Sequence, residues 1–141
     1  MAWSNYRNKT KTNKYSNKKV EIDGITFDSK KEAKRYQELK LLEQAGEITN
    51  LQLQKEYLLI PEQREFTNET YKKGKNKGCF KKGKLLERKC TYIADFVYFD
   101  REKQETVVED VKGFKGSKAY DVFVIKRKLM LKVHGVRVKE I

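Results

Sequence analysis

Two aspartates sit inside the stretches of this sequence best suited to form buried strands, and that conflict constrains the fold more than any other feature. Asp95 lies within Tyr92-Ile93-Ala94-Asp95-Phe96-Val97-Tyr98, and Asp110 follows Val107-Val108 in the next such stretch. Ionised carboxylates are expensive in a buried strand unless something pairs with them. The two stretches, Cys90 to Phe99 and Gln104 to Lys112, are rich in aromatic and β-branched residues and flank a short polar run, which predicts a β-hairpin. With its loop over Arg101 to Gln104, Asp100 faces Glu105, Phe99 faces Thr106, Val97 faces Val108 and Asp95 faces Asp110. Alternation then puts Asp110 and Lys112 on one face and turns Glu109 to the other, where it is a lesser candidate. Tyr92, Phe96 and Tyr98 fall opposite Asp95 and read as core. Like charges directly across a strand pair repel. A divalent cation resolves the conflict, because magnesium prefers oxygen ligands and often takes one or two carboxylates with waters and phosphates. The plainer reading is a surface Asp-Lys ion pair on the solvent face, with Asp95 at a sheet end.

The remaining periodicities place this hairpin in an α/β domain. Ser29-Lys-Lys-Glu32 has capping-box spacing and opens a helix from about Ser29 to Ala45, closed by Gly46. Leu51 to Ile60 alternates as a strand and stops at Pro61. Ser117 caps a second helix to about Val133, His134-Gly135 closes it, and Val136 to Ile141 forms a last short strand. His134, near the helix end, reads as a capping contact rather than a base. The order is helix, strand, strand, strand, helix, strand, with a mixed central sheet flanked by helices. With 141 residues, 38% of them apolar, the chain suffices for one domain and one modest core.

Charge points to the partner. Lys plus Arg number 33 against 20 Asp plus Glu, a net +13 that predicts a polyanion, most simply nucleic acid. The excess is concentrated in two places. Residues 1–19 carry six cations and no acid, and read as a flexible basic arm in which Trp3, Tyr6 and Tyr15 could stack on unpaired bases. A Gly/Lys-rich insertion at about residues 71–89 contains Lys72, Lys73, Lys81, Lys82 and Lys84, broken by glycines as a loop or ragged hairpin. Solvated surface is the bland alternative for both, but the near absence of interleaved acids favours phosphate contact. Two cysteines and one histidine are too few for a four-ligand zinc site or a disulfide framework, so any metal site must be built from carboxylates. With no membrane-length apolar run and no signal peptide at the N-terminus, the expected location is the cytoplasm, or the host cytoplasm for a phage-encoded chain.

Ile93-Ala94-Asp95, about fifteen residues, then Asp110-Val111-Lys112 resembles the signature of the PD-(D/E)XK nuclease superfamily, and the element order resembles its restriction-endonuclease-like core. Ala94 stands where the motif has proline, a residue that is not a ligand. Phe27-Asp-Ser-Lys-Lys-Glu-Ala-Lys-Arg-Tyr and Val108-Glu-Asp-Val-Lys-Gly further resemble a small phage-encoded group within that superfamily, over about Val20 to Ile141. The resemblance implies catalysis by Asp95, Asp110 and Lys112. It adds Glu32 of the first helix as a further metal ligand, although capping with Ser29 is an equally physical role for that residue. It also suggests that Lys126, which shares a helical face with Val122 and Leu129, can touch the site or the phosphate; a core-edge lysine is the plainer reading.

The function expected is therefore a magnesium-dependent DNA endonuclease, with manganese able to substitute, acting on duplex or branched DNA in phage replication or recombination. Holliday-junction resolvases with this core act as dimers, so the resemblance makes branched DNA the sharpest substrate class and a homodimer the candidate assembly. Two other readings stay open: a non-catalytic DNA-binding accessory protein with a nuclease-like core, and an RNA-binding basic protein, which leaves the aspartates unexplained.

Overall fold

The computed structural model describes residues 18–141. The expected basic arm, with Trp3, Tyr6 and Tyr15, lies outside the described residues except for Lys18 and Lys19, both exposed. Ten elements follow in order: β1 (Val20–Ile22), β2 (Ile25–Phe27), α1 (Lys30–Gln44), β3 (Ile48–Ile60), β4 (Gln63–Arg64), β5 (Leu85–Glu87), β6 (Cys90–Asp100), β7 (Glu105–Asp110), α2 (Lys118–His134) and β8 (Lys139–Glu140). The frame is α/β, with two helices and one mixed four-stranded sheet in the order β3-β6-β7-β8. Its first three strands are antiparallel, and β8 joins β7 in parallel.

Local chemistry sets both helices. The Glu32 backbone N–H donates to Ser29 Oγ at 3.1 Å, and the Tyr120 N–H donates to Ser117 Oγ at 3.2 Å, so each helix starts at a serine cap. Gly135 takes φ +67°, which ends α2 by the left-handed route that glycine adopts without strain. Helix α1 lays Ala33, Tyr36 and Leu39 against one sheet face, where they meet Phe96 and Tyr98. Helix α2 lays Phe123 and Met130 on the other, against Tyr92, Ala94, Val97 and Val108. Two core clusters thus sandwich the sheet.

The β6-β7 hairpin takes the expected register, with Asp100 opposite Glu105, Phe99 opposite Thr106 and Val97 opposite Val108. Alternation nevertheless fails at Asp95. Ala94 packs on the α2 side and Phe96 on the α1 side, so Tyr92 does not share a face with Phe96 and Tyr98 as strict alternation predicts. The cause lies in the neighbouring strand: Gln54, set between the Leu53-Phe96 and Lys55-Ala94 pairs, has φ +50°, a left-handed conformation that a regular strand does not contain.

Several boundaries differ from the sequence reading. β7 stops at Asp110 and leaves Lys112 beyond it, β8 holds only Lys139–Glu140, and β3 begins at Ile48 rather than Leu51. The segment Val20 to Phe27 is a hairpin turning on Asp23-Gly24, both at positive φ. The basic insertion is an ordered ragged hairpin that begins before residue 71: β4 pairs with β5, and Thr70 bridges Phe80. Gly83 is obligatory there, because a Cβ at that position would lie 1.8 Å from the Glu65 carbonyl oxygen. Among the described residues no helix is long and apolar enough to cross a membrane.

Candidate active site

The site is built where β7 leaves β6. Their ladder ends at Phe96-Glu109, and β7 turns to β8, with the Ile141 N–H donating to the Asp110 carbonyl at 2.9 Å and the Lys112 N–H to the Ile141 carbonyl at 3.1 Å. The Val111 N–H is left facing the gap, and Asp95 Oδ2 accepts it at 2.8 Å. Gln54 Nε2 donates to the other Asp95 oxygen at 3.1 Å. A side chain thus replaces the ladder bond that the splaying strands cannot make.

Asp110 is almost fully buried at 3% exposure and lies toward α2. Tyr92 donates its hydroxyl to Oδ2 at 2.8 Å, and Lys112 Nζ pairs with Oδ1 at 2.7 Å while sitting 4.0 Å over the Phe123 ring. The Asp110-Lys112 pair expected from alternation therefore forms. Asp95 and Glu32 meet on the α1 side, around a cavity of about 240 Å³ that Phe27, Leu53, Gln54 and Phe96 also line. The four candidates gather at one sheet end, Asp110 and Lys112 approaching from the α2 side and Glu32 from the α1 side, near enough that both Asp110 and Glu32 push on Asp95 between them.

The electrostatics bind the two halves together. Burial pushes the Asp95 carboxyl up to about 6, with Asp110 and Glu32 adding to the rise and the Val111 N–H and Gln54 opposing it. Glu32 is also raised, chiefly by burial, with Asp28 and Asp110 contributing and Ser29 opposing. Glu32 keeps its cap as well, since Ser29 Oγ lies 3.1 Å from its Oε1. A carboxylate that holds its proton because of burial and like-charged neighbours is one that a cation would stabilise.

Among the described residues no group of three His, Cys, Asp or Glu side chains could hold a metal by itself. The donor chemistry still suits magnesium, which takes one or two carboxylates and completes its shell with waters and phosphate oxygens. Asp95 and Asp110, with Glu32 beside Asp95, are the residues that would hold it.

Several side chains around the site escape a sequence reading. Arg35 grips Glu109, which is completely buried, through Nε at 2.9 Å and Nη2 at 2.8 Å, and Tyr98 donates to the same carboxylate at 2.7 Å. Burial works to raise the Glu109 carboxyl, but Arg35 and Tyr98 outweigh it and hold it below the usual range. Glu109 points away from Asp110 as expected, and serves as a buried clamp to α1. Its position between Val107 and Val111, both in the α1-side core, was the available signal. Lys31 Nζ donates to the Lys112 and Ile141 carbonyls at 2.8 and 2.7 Å, fixing the chain just after Asp110.

The other basic candidates are dispersed. Lys126 is half-buried on the stripe of Phe123 and Met130, whereas Val122, expected on its face, is exposed; Lys112, not Lys126, pairs with Asp110. A helical stripe is about three residues wide, so one misplaced apolar residue shifts the reading by a turn position. Lys72, Lys73, Lys81, Lys82 and Lys84 are all exposed on the hairpin, and Lys81 pairs with Glu69 at 3.0 Å. His134 Nε2 lies 2.7 Å from the Leu58 carbonyl oxygen, tying the end of α2 to β3.

No curated protein and no solved structure matches the chain. One family model does, over residues 12–140, which takes in both helices, the whole sheet and every candidate residue from Glu32 to Lys126. The chain therefore belongs to the family described as protein of unknown function, DUF1064.

Proposed function

We propose that this protein is a magnesium-dependent DNA endonuclease of the PD-(D/E)XK type, with branched DNA as its preferred substrate. The observation that carries the reading is the Asp95-Asp110 pair, a half-buried carboxyl pushed up by its burial and by a fully buried carboxyl beside it, at the point where two strands part. Such a pair is poor design for stability and good design for a hard cation. A bound magnesium ion would supply charge neutralisation at the scissile phosphate and a more acidic attacking water.

The chain's own groups do the remaining work. Tyr92 holds one oxygen of Asp110 and leaves the other facing the Lys112 ammonium, so the carboxylate cannot rotate away. The Val111 N–H and Gln54 fix Asp95 in the same way. Lys112, steadied over Phe123, is placed to orient the attacking water. In-line addition of that water to phosphorus, with cleavage of the bond to the 3′ oxygen, leaves a 5′-phosphate and a 3′-hydroxyl. Exposed lysines of the β4-β5 hairpin would hold the duplex by its phosphates, which gives affinity without base reading.

Incubation of plasmid, single-stranded, flap and four-way-junction DNA with and without magnesium tests this reading. Magnesium-dependent cleavage, strongest on the branched forms and lost in Asp110→Asn, is the expected result. Binding to the same DNAs with no cleavage under any divalent cation would leave the accessory-protein reading, in which the Asp110-Lys112 pair is a fossil of the fold.

A further inference from the structure

The β4-β5 hairpin carries a feature that phosphate contact does not use. Residues 70–86 contain seven lysines and no acid; Phe80 stands in solvent within this basic field, and Phe66 stands in solvent on the segment that precedes it, between Glu65 and Glu69. Phe66 is 86% exposed and Phe80 67%, more than any other large apolar residues of the described chain. Neither belongs to either core cluster. Both are held on ordered backbone: Thr70 bridges Phe80, the Lys81 N–H donates to the Glu69 carbonyl at 2.7 Å, and the Glu65 N–H donates to the Lys84 carbonyl at 2.9 Å beside Phe66.

Leaving a phenylalanine in water forfeits the gain of burying it, so two exposed rings carried on paired backbone beside a lysine cluster point to an occupant. A protein partner would meet the ring surface but would have to be strongly acidic to meet the lysines. Unpaired nucleotides satisfy both at once, because each base offers a π face and each phosphate a negative charge. Base-paired DNA cannot, since its bases are stacked on one another and only the phosphates and groove edges are presented.

We infer that the hairpin is a reader of unpaired bases, in which Phe80 and Phe66 stack on nucleotides splayed out at a branch while the flanking lysines hold their phosphates. It rests on the endonuclease proposal for its choice of DNA, and gives that proposal its device for preferring branches. The placement is apt. The hairpin leaves the sheet between Ile60 and Cys90, which pair with each other, and Cys90 is five residues before Asp95 along β6. At about 3.3 Å per strand residue the hairpin root stands roughly 17 Å from the carboxylate pair, within half a turn of duplex.

The test is fluorescence anisotropy of the full chain with labelled blunt duplex, single strand and fork, in chelator so that cleavage plays no part. The double variant Phe66→Ala/Phe80→Ala is expected to lose roughly five-fold or more in affinity for fork and single strand, the range of one lost base stack. Its duplex affinity should stay within about two-fold and its salt dependence should not change. Lys82→Ala/Lys84→Ala should instead weaken all three DNAs alike and flatten the salt dependence. A 2-aminopurine at the fork should be quenched by the native chain and not by the phenylalanine variant. Equal losses on duplex and fork, or none on either, would overturn the inference while leaving the endonuclease proposal standing. So would a change of the phenylalanine variant from dimer to monomer in sedimentation, which would make the rings a contact between copies. No binding of the native chain to any DNA would overturn both.

Discussion

Glu109 and Asp110 are consecutive, both buried, and set among different neighbours. Glu109 on the α1 side receives a two-pronged arginine, a tyrosine hydroxyl and a more distant lysine at 3.7 Å, and its carboxyl is held down. One residue on, Asp110 also has a tyrosine hydroxyl and a cation, Tyr92 and Lys112, but shares its sheet end with Asp95 and Glu32, two carboxyls that are pushed up. The first arrangement neutralises charge and locks α1 to the sheet. The second accumulates charge where the strands part and where the cavity opens. Burial alone therefore does not set the state of an acid; the balance of charge around it does.

The comparison can be broken most forcefully at the clamp. Glu109→Gln removes the buried charge that Arg35 grips and leaves the guanidinium only the exposed Glu38 at 2.9 Å, and should cost about 3 kcal/mol in urea unfolding. Its effect on a DNA assay should follow the loss of folded protein. A stability loss under 1 kcal/mol would mean that Glu109 is not the anchor of α1.

At the other member of the pair, Asp110→Asn should reduce magnesium-dependent cleavage by about 10²-fold or more, because a neutral amide cannot balance a cation's charge. Lys112→Ala should also be severe. Glu32→Gln should be milder, since its cap geometry survives.

Asp95→Asn sharpens the contrast through its sign. The folded chain holds the Asp95 proton up to about 6, well above the ordinary value of 3.8, so native stability falls as pH rises through that window. Asparagine removes that loss and can still accept the Val111 N–H. The variant should therefore be more stable than the native chain at neutral pH, by about 2 kcal/mol or less after allowance for partial exposure, and no more stable below the ordinary aspartate range. Glu109, held low, behaves oppositely: its contribution is present above its ordinary value and is lost as pH falls through the lowered one. Thermal melts of both variants across pH read the two signs. A destabilised Asp95→Asn at neutral pH would contradict the account.

The smallest effect is on the surface. Each hairpin lysine that touches a phosphate should contribute roughly 0.9 to the salt slope of log affinity on duplex DNA. Lys81, already paired with Glu69, should contribute less than Lys82 or Lys84.

Much of this frame is legible in the sequence because it rests on local rules. Serine caps at Ser29 and Ser117, glycine stops, and the hairpin register through Val97-Val108 follow from turn chemistry and periodicity. Long-range facts are not so written. Nothing local says that Arg35 of α1 meets Glu109, seventy-four residues on, or that Lys31 holds the chain after Asp110. The failure of alternation at Asp95 comes from Gln54 on another strand, where a left-handed glutamine has no sequence signature. The Asp23-Gly24 hairpin was readable, since an Asp-Gly pair between Val20-Glu-Ile22 and Ile25-Thr-Phe27 is a strong turn signal.

If Asp95 and Asp110 serve a cation at a DNA-cleaving site, cleavage needs both carboxylates while binding needs neither. Single-turnover cleavage of a four-way junction at saturating protein, with magnesium, tests it most directly when native, Asp95→Asn and Asp110→Asn chains are compared and binding is measured separately in calcium. The account predicts binding within a few-fold of native for all three and cleavage by the native chain alone. Native-rate cleavage by either aspartate variant, or none by the native chain with any divalent cation, would contradict it.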